Sequence, residues 1–206
     1  SFGYVGAGVV TFLLRSGSDE IWIDHVDPLA RPTHALAEES TGASFVSLRL
    51  LVAQGSTLDP EPPHADGWSV EVRLLASGEA GALKMLSLPT GTGVRADASR
   101  RVGDLVDPAH DMVIAVLSAW GRDRAEAMAR LRRSVERTVV VLERGEHNRS
   151  DLLTLLDHPD LHAGPLTGGW YDDVIGQAQP AISPLAIVAA AVEAYEADLE
   201  VVLTNF

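Results

Sequence analysis

The sequence predicts an α+β fold: a mainly antiparallel sheet with helices packed on it, followed by a C-terminal helical appendage. Three observations carry this. Short segments of period-two alternation or continuous apolar character recur between residues 69 and 120, with turn residues between them. An amphipathic, capped helix pattern follows that region, and a second helical pattern closes the chain. The 206 residues are 46% apolar and 22% charged, ordinary globular composition with enough material to bury a core.

Element by element, Val9–Leu14 is β-branched and apolar and reads as a strand. A turn at 15–19 leads to a return strand at 20–24, making a hairpin. After a loop, helices are expected at 34–40 and 44–52, the second with Phe45, Leu48 and Val52 on one face. Residues 59–66 hold three prolines and form a loop. In 69–74, Ser69, Glu71 and Arg73 alternate with Val70, Val72 and Leu74, the mark of a half-buried strand. Strands follow at 83–88 and 93–98. The apolar run 110–120 reads as a central strand ended by Gly121.

Asp123 and Glu126 form a capping box for a helix with Ala127, Met128, Leu131, Val135 and Thr138 inward. Arg130, Arg132, Arg133 and Arg137 are expected outside. Glu126, Glu136 and Glu143 interleave with them, which favours a solvated, salt-bridged face over a binding patch. A short strand is expected at 138–142, a helix at 151–156 capped by Ser150, and a loop at 164–169. Beyond a linker at 176–180, Ser183 and Pro184 open the last helix. Its Leu185, Val188, Val192, Tyr195, Leu199 and Val202 form an a/d seam, read as an interaction surface. Residues 1–174 are thus one domain. Residues 175–206 are a linker and helix that start an interaction region.

Composition narrows function. There are no cysteines, so disulfides, thiolate metal sites and cysteine nucleophiles are excluded. A formal charge of −13 disfavours nucleic acid and anionic membrane as partners. The longest apolar stretch, 182–192, is far below the ~20 residues of a membrane span, and no signal peptide is visible, so a soluble, cytoplasmic protein is expected. The chain opens inside a patterned element without an initiator Met, as a fragment of something longer would. Gly3, Gly6 and Gly8 lack dinucleotide-loop spacing and precede a strand, not a helix. His25, Asp27 and His34 lie close together, but without helical i+4 spacing they read as loop residues before metal ligands.

Several motifs, in order, resemble the C-terminal third of a biotin carboxylase, the ATP-grasp subunit or domain of acyl-CoA carboxylases. Gly3-Tyr4-Val5-Gly6-Ala7-Gly8 with Phe12-Leu13 resembles the family's GY.GAGT.EFL. Glu38-Glu39-Ser40-Thr41-Gly42 resembles TE..TG, and Gly67-Trp68-Ser69-Val70-Glu71-Val72-Arg73 resembles GHA.E.R. Gly93-Val94-Arg95 resembles G.GVR. His110-Asp111-Met112, Gly121, Asp123-Arg124 and Ala127 resemble YD.M..KL...G.DR..A, and His158-Pro159-Asp160 with Gly164 resembles HP.F..G. The match covers about residues 3 to 174.

The resemblance implies an ATP-, magnesium-, bicarbonate- and biotin-using family, and partners among other carboxylase domains or subunits, including a homodimer. It also implies a degenerate site. Thr11 and His25 stand where the family has its two magnesium glutamates, and Asp27 replaces an asparagine. Leu29 replaces the catalytic arginine, Arg31 the bicarbonate-contacting glutamine, and Thr33 the general-base glutamate. Val116 replaces the KL lysine, while His34 and Arg95 keep the family residue type. A hydroxyl and an imidazole bring no negative charge to magnesium, and threonine cannot take bicarbonate's proton. The expectation is a catalytically degenerate domain with a structural, assembly role, needing no cofactor by itself. The alternatives are part of an active carboxylase in a full-length protein, with His25 and Asp27 as replacement ligands, or a module that docks a biotinyl carrier at Arg95.

Overall fold

A computed structural model describes residues 3–15, 17–28, 34–164 and 166–177. The chain divides into two compact units, 1–156 and 157–206. No helix among the described residues is long and apolar enough to cross a membrane.

The first unit opens with a hairpin of β1 (Val9–Leu14) and β2 (Ile21–Asp27), its register slipping by one residue between Thr11 and Phe12. Phe12, Leu13, Trp22 and Ile23 are all exposed on it. Two helices follow, α1 (His34–Thr41) and α2 (Phe45–Ala53), the latter N-capped by Ser44, whose side chain accepts from the Ser47 N–H. The centre is an antiparallel sheet in the order β5 (Val94–Ala98), β7 (Val113–Gly121), β3 (Trp68–Ser77) and β9 (Glu146–His147). A second antiparallel sheet runs β6 (Leu105–Val106), β4 (Gly81–Ser87) and β8 (Val139–Leu142). Leu74, Leu83, Val106, Ile114 and Val140 form one core across these strands.

Alternation along β7 sorts the main sheet into two faces. Ala115, Leu117 and Ala119 are fully buried and lie in register with Leu74, Val72 and Val70 of β3. This face receives α3 (Arg124–Arg137), which buries Ala127, Met128, Leu131 and Val135. Gly121 shares that face, and a Cβ there would collide with the backbone nitrogen of Ala127, so only glycine lets strand and helix approach so closely. Val116, Ser118 and Trp120 point the other way, in register with Arg73, Glu71 and Ser69. On this polar face lies α1. Helix α4 (Arg149–Asp157) closes the unit, burying Leu152, Leu155 and Leu156.

In the second unit, α5 (Pro159–Ala163) and α6 (Trp170–Gln177) are joined by a T-shaped contact of His158 and Trp170, ring centroids 5.3 Å apart. Trp170 Nε1 donates to Asp160 Oδ2 at 3.3 Å.

Several expectations change in detail. The return strand runs to Asp27, and β3 to Ser77. Strand β7 starts only at Val113, because Asp107 and Asp111 hold 107–113 in turns through the N–H groups of Ala109 and Val113. The capping box is half reciprocal: Asp123 Oδ1 accepts from the Glu126 N–H at 2.8 Å, but Glu126 reaches back to the Arg122 N–H. Arg130 is not an outward residue. Its Nη1 donates to the Trp120 carbonyl at 2.6 Å and its guanidinium lies over the Trp120 ring. Helix α4 begins at Arg149, before Ser150, with the Leu152 N–H on the Asn148 carbonyl. Helix α6 occupies the start of the expected linker. The seam residues Leu185, Val188, Val192, Tyr195, Leu199 and Val202 lie outside the described residues.

Candidate functional site

Two groups of side chains correspond to the site positions. The first is on the hairpin. Thr11 and His25 are direct cross-strand partners, and Thr11 Oγ1 lies 3.4 Å from His25 Nε2. His25 Nδ1 is 3.0 Å from Asp24 Oδ2. Asp27 is two residues along β2 on the same face as His25, opposite Val9. Hard cations take carboxylate and carbonyl oxygens. The facing pair supplies one hydroxyl and one imidazole, a donor set that does not fit magnesium. Among the described residues no group of three His, Asp or Glu is placed to hold a metal ion.

The second group is where α1 meets the polar face of the sheet. Arg95 of β5, Ser118 of β7 and Glu71 of β3 lie in one row across the three strands. Helix α1 sets Glu38 and Glu39 onto that row. Arg95 Nη1 donates to Glu38 Oε2 at 2.9 Å, and Arg95 Nε to Asp97 Oδ2 at 2.6 Å. Glu38 Oε1 also accepts the Phe45 N–H at 2.7 Å, which ties the start of α2 to the same carboxylate. Ser118 Oγ donates to Glu39 Oε1. The second oxygens of Glu39 and Glu71 are buried without a protein partner.

This environment splits the adjacent glutamates. Burial acts to raise the Glu38 pKa, but the Arg95 hydrogen bond, the Phe45 N–H and nearby positive charge outweigh it and hold it below the usual value. For Glu39, burial is not offset by Ser118 and Arg95, and its carboxyl is pushed up. The Glu38 hydrogen bond in turn raises Arg95. A cavity of about 380 Å³ opens beside the row, lined by His34, Arg73, Arg95, Asp97 and Val116 among others. Val116 lies between Arg73 and Asp97 in register, so an apolar side chain floors the space between the charges.

The structure therefore joins Arg95 to Glu38, two motif residues 57 positions apart. It places His34 at the same cavity and Thr11 opposite His25. Leu29, Arg31 and Thr33 lie outside the described residues. Sequence reasoning missed Ser118 as the partner of Glu39, because 79 residues separate them and only the strand register aligns them. It also missed Asn148, which accepts from the Leu75 N–H at 2.9 Å and donates to the Arg73 carbonyl at 3.1 Å, fixing the edge of β3. A polar residue just before a helical stretch was the available signal.

Known proteins define the class. Residues 74–173 match the family model of the biotin carboxylase C-terminal domain, and residues 1–61 match that of the carbamoyl-phosphate synthase L chain ATP-binding domain. Over most of its length the chain is similar to biotin carboxylases. It is 29% identical over 185 residues to biotin carboxylase 1 of Bacillus subtilis (strain 168), covering 84% of this chain and 41% of that protein. It is 31% identical to the mitochondrial methylcrotonoyl-CoA carboxylase subunit alpha of Dictyostelium discoideum, covering 82% of this chain and 25% of that protein. Among solved structures, the biotin carboxylase domain dimer of the Hydrogenobacter thermophilus 2-oxoglutarate carboxylase, in complex with MgADP, ADP and bicarbonate, superposes with a TM-score of 0.77. Its identity is 21%, over 86% of this chain and 41% of that one. The chain thus spans less than half the length of these relatives.

Proposed function

We propose that this biotin carboxylase-like domain is catalytically degenerate and serves assembly within a biotin-dependent acyl-CoA carboxylase or a relative. Its partners would be other domains or subunits of that enzyme, or a second copy of itself, in the cytoplasm. The observation that carries the reading is the Thr11–His25 pair. These residues face each other across the hairpin, as two ligands of one metal would, yet offer no carboxylate. The replacements at Leu29, Arg31, Thr33 and Val116 point the same way. Docking of a biotinyl carrier on Arg95 is less well supported, because that guanidinium already holds Glu38 and Asp97.

The test is ATP hydrolysis by the chain with magnesium, biotin and bicarbonate. Rates equal to those of a protein-free control are expected. Bicarbonate-dependent turnover that disappears in His25→Ala would overturn the proposal and favour His25 and Asp27 as replacement ligands.

A further inference from the structure

The arginine face of α3 is not the uniformly salt-bridged surface its sequence suggests. Arg130 pairs with Glu126 at 2.8 Å, Arg132 with Glu136 at 3.0 Å, and Glu143 is taken by Lys84 at 3.0 Å. That leaves Arg133 and Arg137. They are four apart on one helix face, and neither makes an ion pair or side-chain hydrogen bond among the described residues.

Both line a cavity of about 160 Å³ walled on its other side by the loop Pro89, Thr90, Gly91 and Thr92. No carboxylate lines it, although the chain carries 29 Asp and Glu. The loop is held in place. The Trp120 N–H donates to the Gly93 carbonyl at 2.9 Å, and the Val94 N–H to that of Gly91 at 3.2 Å. Gly93 has φ +67°, and a Cβ there would run into the Arg130 guanidinium, so the loop wraps an arginine that is itself anchored. The cavity is also separate from the site on α1. Val94, in its wall, pairs with Ala119 on the α3 face of the sheet, while the next residue, Arg95, pairs with Ser118 on the opposite face.

Two unengaged guanidiniums beside threonine hydroxyls are donors without an acceptor. Guanidinium forks match the oxygens of phosphate and bind them bidentately. The volume admits a phosphoryl group. We propose that this cavity binds the phosphoryl group of inorganic phosphate or of a small phosphomonoester, as a site independent of the carboxylase-like one.

Isothermal titration of the full chain with inorganic phosphate tests this, alongside R133Q/R137Q and the control Arg101→Gln, an exposed arginine elsewhere on the surface. Saturable binding is expected in the parent chain and in the control. It should weaken by about tenfold or more in the double variant, the loss expected for charge-assisted hydrogen bonds. Melting curves should show both variants folded, since Arg133 and Arg137 are exposed. A parallel titration with glycerol 3-phosphate separates the sources: tighter binding than phosphate assigns a phosphomonoester, and equal affinity assigns the free ion. Absence of saturable binding would overturn the proposal. So would equal weakening in the control, or binding indifferent to the double substitution.

Discussion

Glu38 and Glu39 are neighbours in sequence with opposite ionisation behaviour. Glu38 is held below its ordinary pKa, so the stability it contributes is present above that ordinary value and is lost as pH falls through the folded one. Glu39 is raised, so its contribution is present below the ordinary value and is lost as pH rises through the folded one. Burial disfavours the ionised form of Glu39, and Glu39→Gln keeps an oxygen for Ser118 while removing the ionisable group. The variant should melt higher than the parent at neutral pH, with the gain shrinking as the pH falls and the carboxyl is protonated. A gain independent of pH would refute the assignment. Of this row, Arg95 and Glu38 were legible through short motifs. Glu71 was legible only as the polar half of a period-two strand, and Ser118 not at all. A contact made by strand register leaves no local mark in the sequence.

Elements with a strong period were legible to within a few residues. Helix α3 was readable from its cap and apolar stripe, and its buried set matches the expectation at Ala127, Met128, Leu131 and Val135. The two-residue strands β6 and β9 have no room for a period, and they exist because longer strands offer them an edge. Arg130 was misplaced because helical spacing says nothing of a carbonyl and a ring arriving from β7. The junction of α3 and β7 makes a stability prediction. Leu131 is 1% exposed, so Leu131→Ala should cost about 2–5 kcal/mol. Gly121→Ala should cost about 1–3 kcal/mol or more through overpacking against Ala127. Denaturant melts of both variants check this. A Gly121→Ala chain as stable as its parent would mean the approach of helix and strand is looser than described.

At the scale of the whole molecule, residues 1–61 resemble an ATP-binding domain and residues 74–173 a biotin carboxylase C-terminal domain. Motif order made this legible because the matching segments keep their spacing over most of the chain. Neither order nor spacing reveals whether the replaced positions still hold a metal, and the proposed loss of catalysis turns on that. Manganese(II), a paramagnetic stand-in for magnesium, tests it most directly through the electron paramagnetic resonance signal of the free ion. The parent chain is expected to leave that signal undiminished. A T11E/H25E chain, with carboxylates restored on facing strands, should quench it by binding the ion. Quenching by the parent chain, lost in His25→Ala, would overturn the proposed degeneracy of the metal site.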